Sequence, residues 1–146
     1  MRNIALLCTL VVLVSGCSTF GGKGLREQDI IYAASLDAYP KKDVAIKRAE
    51  FKEILAKGPG VMRIRLIELF SGANSRPRYR VMGYDKTGPY QMLDVQVGDV
   101  ILAANNYVMM NPRLFTDYVR LLSDTNSGTL HVIRQGRELI LNYQIS

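Results

Sequence analysis

The most informative part of this sequence is VGDVILAANN, residues 97–106. From Asp99 to Ala104 it is nearly continuously apolar, which is typical of a strand that is buried on both faces of a sheet. Asn105 and Asn106 follow directly, and Asn tolerates the positive φ angles of a tight turn. The sequence therefore predicts a buried central strand that ends in a tight turn.

The residues after this turn predict a helix and a hairpin. Asn111 can cap the helix, and Pro112 suits its first turn, where the missing N–H group costs nothing. The helix is expected to extend to about residue 123. Two strands follow, at 129–134 and 138–145, and the Gln-Gly pair between them is a hairpin signal.

The residues before the central strand predict two more strands, at 61–70 and 79–84, and a turn or short helix at 88–93. Helical spacing of apolar residues predicts one or two helices at 25–57, with Asp43 as the cap of the second. The chain is therefore expected to be an α+β protein, with a helical segment at 25–57 and a domain at 58–146.

Several motifs carry a resemblance to a known family. VGDVI at 97–101, ANN at 104–106, NPRLF at 111–115 and VIRQGR at 132–137 follow one another as in the bacterial PDZ domain, including that of envelope proteases. RVMGY at 80–84 resembles the PDZ region of type II secretion C-type subunits. Asn106 stands where the family usually has Gly, a mild change because Asn also tolerates positive φ. The resemblance implies a small, partly open, PDZ-like β-barrel with one main and one short helix, preceded by N-terminal helices.

The resemblance also implies a groove between the first strand and the helix after the Asn turn, where an extended peptide adds to the sheet as a further strand. Phe115 and Tyr118 are the stronger groove candidates on that helix, since Tyr combines an apolar body with a polar edge. Val119 and Leu122 share their face, and for these two packing in the core is the favoured alternative. The predicted groove comprises Gly58, Gly60, Val61, Met62, Ile64, Phe115, Tyr118, Val119 and Leu122.

Gly58-Pro59-Gly60 stands where the family has its carboxylate-binding loop, and two interpretations of it are open. Glycines allow successive N–H groups to converge on an anion. However, Pro59 supplies no N–H group, and Gly58 is also an ordinary residue after the end of a helix.

Four arginines form a candidate basic patch. Arg63 and Arg65 share one face of the first predicted strand, and Arg78 and Arg80 share one face of the next. One interpretation is a solvated sheet face. The other is a contact with an acidic protein surface or an anionic envelope polymer, because Arg forms forked hydrogen bonds with carboxylate and phosphate.

Residues 1–16 have the features of a secretory signal: a positive start, a short apolar run and small residues before Cys17. VSGC at 14–17 resembles the bacterial lipobox, so Cys17 is predicted to carry a lipid anchor with acyl chains such as palmitate. The alternative is a plain signal peptide with a coincidental Cys. Residues 17–24 are expected to be a flexible tether, and Ser18 favours the outer membrane by the sorting rule of such lipoproteins.

The sequence contains little that supports catalysis. One His and two Cys are too few for a Cys/His zinc site, and neither a nucleophile elbow nor a zinc-protease motif is present. His131 is expected to point outward from its strand. Asp94 is expected near Asp99, which resembles the family's turn residue that binds backbone amides. We therefore expect no enzymatic activity, no metal and no cofactor.

Together these features predict an outer-membrane lipoprotein, lipid-anchored on the periplasmic face. Its PDZ-like domain would be a non-enzymatic, protein-binding adaptor in a secretion or envelope-assembly complex. The expected partners are an envelope protein or peptide and the membrane itself, and this location excludes nucleic acid. The alternative is a structural module that self-assembles, or joins a secretion-system ring, without a peptide ligand.

Overall fold

The computed structural model describes residues 36–69 and 76–146. The predicted signal peptide, Cys17, the tether and residues 25–35 of the helical segment lie outside the described residues. Two 3₁₀ turns, Leu36–Ala38 and Pro59–Met62, accompany the helices and strands. In chain order these are β1 (Lys41–Ile46), α1 (Arg48–Ala56), β2 (Ile64–Leu69), β3 (Arg78–Tyr84), β4 (Val100–Ala104), β5 (Tyr107–Val108), α2 (Pro112–Leu122), β6 (Ser127–Arg134) and β7 (Arg137–Ile145).

The strands form one mixed sheet in the order β1-β7-β6-β4-β3-β2, with the short β5 beside β4. β1 is parallel to β7, and the other neighbours are antiparallel. β1 and β2 are the two edges and do not pair with each other, so the described strands form an open sheet and not a closed barrel. The predicted α+β class is confirmed.

Residues 41–46 form strand β1, so the second predicted helix is present only from Arg48, as α1, and the prediction of Asp43 as its cap is wrong. β1 pairs with β7 from Lys41 opposite Ile140 to Ile46 opposite Ile145. This long-range pairing overrides the local helical spacing, because propensity is only a weak preference. Ile46 of β1 and Phe51 of α1 belong to the main core, which they share with residues beyond Gly58.

The first strand of the predicted domain begins later than expected. Residues 59–62 form a 3₁₀ turn that buries Val61 and Met62, and β2 starts at Ile64. The later elements agree closely with the sequence analysis. The central strand β4 is buried along its whole length, and Asn111 caps α2 by accepting a hydrogen bond from the backbone N–H of Leu114 at 3.1 Å.

Two tight turns were predicted, one from the tolerance of Asn for positive φ and one from the Gln-Gly hairpin signal, and both are present. Asn105 and Asn106 have φ angles of 45° and 67°, and they join β4 to β5. Gln135 and Gly136 have φ angles of 51° and 77°, and they join β6 to β7. Positive φ at both central positions is typical of a type I′ turn, whose twist matches that of a hairpin.

The core lies between α2 and the inner face of the sheet. Two tyrosines of the sheet also fix the loop before β4 through their hydroxyl groups. The Tyr143 hydroxyl donates to the Leu93 carbonyl oxygen at 2.9 Å, and the Tyr84 hydroxyl donates to that of Val95 at 2.8 Å. Within the described residues, no helix has the length and apolar character that a membrane span requires.

Candidate functional site

The edge strand β2 is the main candidate for binding a partner. β3 pairs with one side of it, and no described strand pairs with the other. Ile64 and Leu66 form an inner row that packs against the core, whereas Arg65 and Ile67 are exposed in an outer row. A free edge presents unpaired backbone N–H and C=O groups to which another strand can bind.

The four predicted groove residues of α2 are all in the core. Phe115, Tyr118, Val119 and Leu122 are buried. The Tyr118 hydroxyl donates a hydrogen bond to the Thr129 carbonyl oxygen at 2.8 Å, and burial raises the pKa of this phenol. The Phe115 ring stacks on the Tyr90 ring at a centroid distance of 5.9 Å. Their assignment to a groove stays a prediction, but the structure places these side chains inside the domain.

A different flank of α2 faces the turn before β2. Arg120 and Ser123 line a cavity of about 430 Å³ together with Pro59 and Met62. Thr116 lies one helical turn before Arg120 and therefore on the same flank. Sequence reasoning missed this polar flank. The helical period indicates that two flanks lie beside the buried stripe, but it does not say which of them faces β2.

The turn at Gly58-Pro59-Gly60 ends α1, as one of the two interpretations held. The Gly58 N–H group donates to the Leu55 carbonyl oxygen at 3.3 Å, and Gly58 has a φ angle of 103°. With a ψ angle of −179°, this is a backbone conformation that essentially only glycine adopts, and it turns the chain away from the end of α1. Since Pro59 has no N–H group, neither residue offers the loop a free backbone donor.

Tyr90 fixes the turn that leads into β2. Its hydroxyl donates to the Met62 carbonyl oxygen at 2.6 Å, and burial raises the pKa of Tyr90 to about 12. Gly88 lies so close that an added Cβ would be 2.0 Å from the Val61 carbonyl oxygen. These contacts hold the start of β2, and hence its free edge, at a defined position relative to α2.

Three arginines of the predicted basic patch lie on the outer face of the sheet. Arg80 is opposite Ile67 and Arg78 is opposite Leu69, while Arg65 is opposite Gly83. These pairs share the outer face because directly opposite residues of an antiparallel pair point the same way. The structure thus brings the arginines of two strands together, as the predicted pairing required.

Arg63 lies just before β2 and belongs to the rim of the patch. Its Nη2 atom is 3.7 Å from the Asp85 Oδ2 atom, and its Nε atom donates to the Gly60 carbonyl oxygen at 3.1 Å. The Arg65 guanidinium lies over Gly83 and reaches only the Met82 carbonyl oxygen, at 3.5 Å. Among residues 36–69 and 76–146, Asp85 is the carboxylate that pairs with the patch.

Asp94 and Asp99 are brought together by Arg134, and we call these three residues the ion-pair corner. Arg134 Nη2 is 2.8 Å from Asp99 Oδ2, and Arg134 Nη1 is 2.9 Å from Asp94 Oδ2. The Asp99 carboxylate also accepts from the Gln96 N–H group at 2.9 Å, as expected of the turn residue. The corner is almost dry, since the Asp99 side chain is only 1% exposed.

Hydrogen bonding controls the charge states in the ion-pair corner. Burial alone would raise the pKa of Asp94, but hydrogen bonds from Lys42 and Arg134 outweigh it and lower the pKa. The hydrogen bond to Asp99 is the main cause of a raised pKa for Arg134. Asp94 and Arg134 are therefore held charged and paired, which indicates a structural clamp.

His131 lies on the outer face of β6, as the alternation with Leu130 and Val132 predicted, but it is buried. Its Nε2 atom is 2.8 Å from the Glu138 Oε2 atom, and its ring is 4.8 Å from that of Tyr39. Burial lowers the pKa of His131, although Glu138 opposes the shift. In the described part of the chain, no group of three potential ligands is placed to hold a metal ion.

Comparisons with known proteins point to the family that the sequence resembles. The chain is 32% identical over 59 residues to a probable periplasmic serine endoprotease, DegP-like, of Pseudomonas savastanoi pv. phaseolicola. It is 30% identical over 59 residues to the corresponding protein of Pseudomonas fluorescens. Each match covers 40% of this chain and 12% of the relative, so the chain spans only a small part of those proteases.

Two solved structures of the PDZ domain of EpsC from Vibrio cholerae are similar to this chain. One covers 60% of this chain and 99% of the EpsC domain, with 19% identity and a TM-score of 0.38. The other covers 57% and 78%, with 21% identity and a TM-score of 0.37. No family model matches the chain. The predicted resemblance to PDZ domains of secretion subunits and envelope proteases is confirmed as a resemblance.

Proposed function

We propose that this chain is a non-enzymatic adaptor of the bacterial envelope whose PDZ-like domain binds a protein partner by strand addition at β2. The free edge of β2 is the observation that carries the proposal. Its inner row, Ile64 and Leu66, gives an incoming strand apolar side chains to pack on. The polar flank of α2, with Arg120 and Ser123, lines a cavity with Pro59 and Met62 of the turn that precedes β2.

The envelope location is proposed on two grounds. The curated relatives are described as probable periplasmic proteases, and residues 1–17 have the pattern of a signal followed by a lipobox. Cys17 then anchors the chain to the outer membrane, and the domain works on the periplasmic face within a secretion or envelope-assembly complex. Gly58 and Pro59 offer no free N–H group to a peptide terminus, so the proposed strand addition does not depend on one.

In-cell photo-crosslinking tests the adaptor proposal. A photoreactive residue at Ile67, which is 48% exposed on β2, should capture one abundant envelope protein. Leu121 is the matched control, because it is 54% exposed but lies on the far flank of α2 from Arg120. Capture from Leu121 alone would move the site away from β2. Capture of the same chain alone would favour the self-assembling module.

The lipid anchor is tested separately. Cys17→Ala should release the protein from the membrane fraction into the soluble periplasm, since the acyl chains supply the attachment. Cys8→Ala is the control, because Cys8 lies inside the predicted signal peptide and its loss should change nothing. Retention of the Cys17→Ala variant in the outer membrane would reject the anchor.

A further inference from the structure

The side chains in the outer row of β2 indicate which residues a partner strand should present to them. A strand added to β2 places alternate side chains beside Arg65 and Ile67, with Cβ atoms about 4.5–5.5 Å apart. The other side chains of that strand face the inner row, next to Ile64 and Leu66. The two sides of the partner strand therefore meet different chemistry.

The charged side chains on the outer face of β2 and β3 are mainly positive. Arg65 lies in the outer row of β2, and Arg78 and Arg80 lie on the same face of β3. Arg63 extends this positive region at the start of β2, where its side chain is 80% exposed. Asp85 offsets only part of it. Glu68 continues the inner row beyond Ile64 and Leu66, opposite Tyr79 of the core, and so lies on the other side of β2 from the arginines.

Exposed apolar residues lie among these arginines. Ile67 is 48% exposed opposite Arg80, and Met82 is 37% exposed where the pairing of β2 with β3 is irregular. Apolar contact and guanidinium groups within one surface suit a protein partner that presents both carboxylates and apolar side chains.

We propose that β2 selects an extended partner segment with apolar residues on its inward side and acidic residues on its outward side. This inference rests on the proposed strand addition and adds the chemistry of the partner. The outward carboxylates pair with Arg65 and with the neighbouring arginines of β3, while the inward residues pack on Ile64 and Leu66.

Two other occupants fit the observations less well. A second copy paired antiparallel through β2, with its apolar row on the same side, would set Arg65 opposite another outer-row residue, and this row contains no acidic residue. An anionic membrane offers phosphate to the arginines but no backbone groups to the free edge of β2. A strand with acidic residues offers backbone groups to the free edge of β2 and carboxylates to the arginines.

The test uses three labelled peptides that alternate Val with Glu, Gln or Lys. Their affinities for the full chain are measured by fluorescence anisotropy, and the contacted backbone amides are identified by NMR. Two outward pairs worth about 0.2–1 kcal/mol each predict a preference for the Glu peptide over the Gln peptide of about 2-fold to 30-fold. The Lys peptide should bind most weakly, and added salt should reduce the Glu preference.

The decisive experiment reverses the charge of Arg65. Arg65→Glu should weaken the Glu peptide and strengthen the Lys peptide, while Arg137→Glu, at the remote turn between β6 and β7, should leave the order unchanged. Equal binding of all three peptides at β2 would overturn the acidic preference but leave strand addition intact. No binding, with no shift of β2 amide signals, would overturn the proposed function as well.

Two further outcomes would assign the β2 surface to a different partner. Anionic phosphatidylglycerol vesicles bound through Arg65, without discrimination among the peptides, would assign the surface to lipid. A dimer that forms through β2 and competes equally with all three peptides would assign it to a second copy of the chain.

Discussion

Arg134 and Arg80 are the same residue type in one sheet, yet their surroundings are opposite. In the ion-pair corner, the Arg134 side chain is 15% exposed and two carboxylates hold it. In the basic patch, Arg80 is exposed beside Ile67, and Asp85 pairs with Arg63 at 3.7 Å. The first arginine is committed to the fold, and the second is available for a partner.

The buried and the exposed arginine lie in different halves of the sheet. The ion-pair corner joins the turn between β6 and β7 to the loop before β4, and Lys42 adds β1 through Asp94. It lies on the half of the sheet that includes β1. The basic patch lies on the other half, where β2 has a free edge. Stability and the proposed recognition are thus assigned to separate arginines.

The substitution Arg134→Met is the strongest test of whether the ion-pair corner stabilises the fold. Loss of the guanidinium leaves the Asp99 carboxylate buried without its partner, which should lower the free energy of unfolding by about 3–5 kcal/mol. Urea unfolding of the full chain measures the loss. Arg137→Met, three residues along the same turn, is the control and should change stability by less than about 0.5 kcal/mol. Equal effects of the two substitutions would contradict the clamp.

Asp94→Asn should have a smaller effect. The Asp94 side chain is 25% exposed, and its charge strengthens hydrogen bonds from Lys42 and Arg134. Such bonds contribute about 1.5–3 kcal/mol, and partial exposure reduces this, so a loss of about 1–2 kcal/mol is expected. Asp117→Asn, on the exposed face of α2, is the comparison variant. If Asp94→Asn leaves the free energy of unfolding unchanged, the stabilising ion pair is that of Arg134 with Asp99 alone.

A buried titrating group extends the comparison to pH. The pKa of His131 is lowered in the fold, so the unfolded chain binds this proton first as the pH falls below 6.5. The free energy of unfolding should therefore decrease as the pH falls from about 7 toward the folded pKa, and then level off. His131→Gln should flatten this part of the curve, measured by urea unfolding at each pH. An unchanged slope would assign the dependence to another group.

The smallest expected effect on stability comes from the basic patch itself. Arg78→Met combined with Arg80→Met should change the free energy of unfolding by less than about 0.5 kcal/mol, since surface substitutions away from paired charges are nearly neutral. The same variant should weaken binding of the Glu peptide. A loss of stability similar to that of Arg134→Met would show that the patch is structural and not a recognition surface.

Most of the fold could be predicted where the signals are local. β4, α2 and the hairpin of β6 and β7 rest on an apolar run, a cap with Pro and two tight turns, all readable within about ten residues. β1 could not be predicted, because its partner β7 lies about a hundred residues away and nothing in KKDVAI indicates it. Parallel pairing depends on the whole chain coming together.

The candidate site was predicted only in part, for a geometric reason. The sequence places Phe115 and Tyr118 on one helical stripe, but it does not say which flank of that stripe faces β2. The structure puts the stripe in the core and leaves Arg120 toward the turn before β2. The proximity of Asp94 and Asp99 was expected, whereas Arg134, 40 and 35 residues away, was not linked to them.

The parallel pairing of β1 with β7 has a mechanical consequence. A force that enters the chain at Pro40 and pulls along β1 meets the six register pairs of this ladder side by side, from Lys41 to Ile46. The load is then shared in shear, whereas a force across the strand would open the pairs one at a time. β1 therefore lets the domain bear tension from its N-terminal side while β2, at the opposite edge, stays free for the proposed partner.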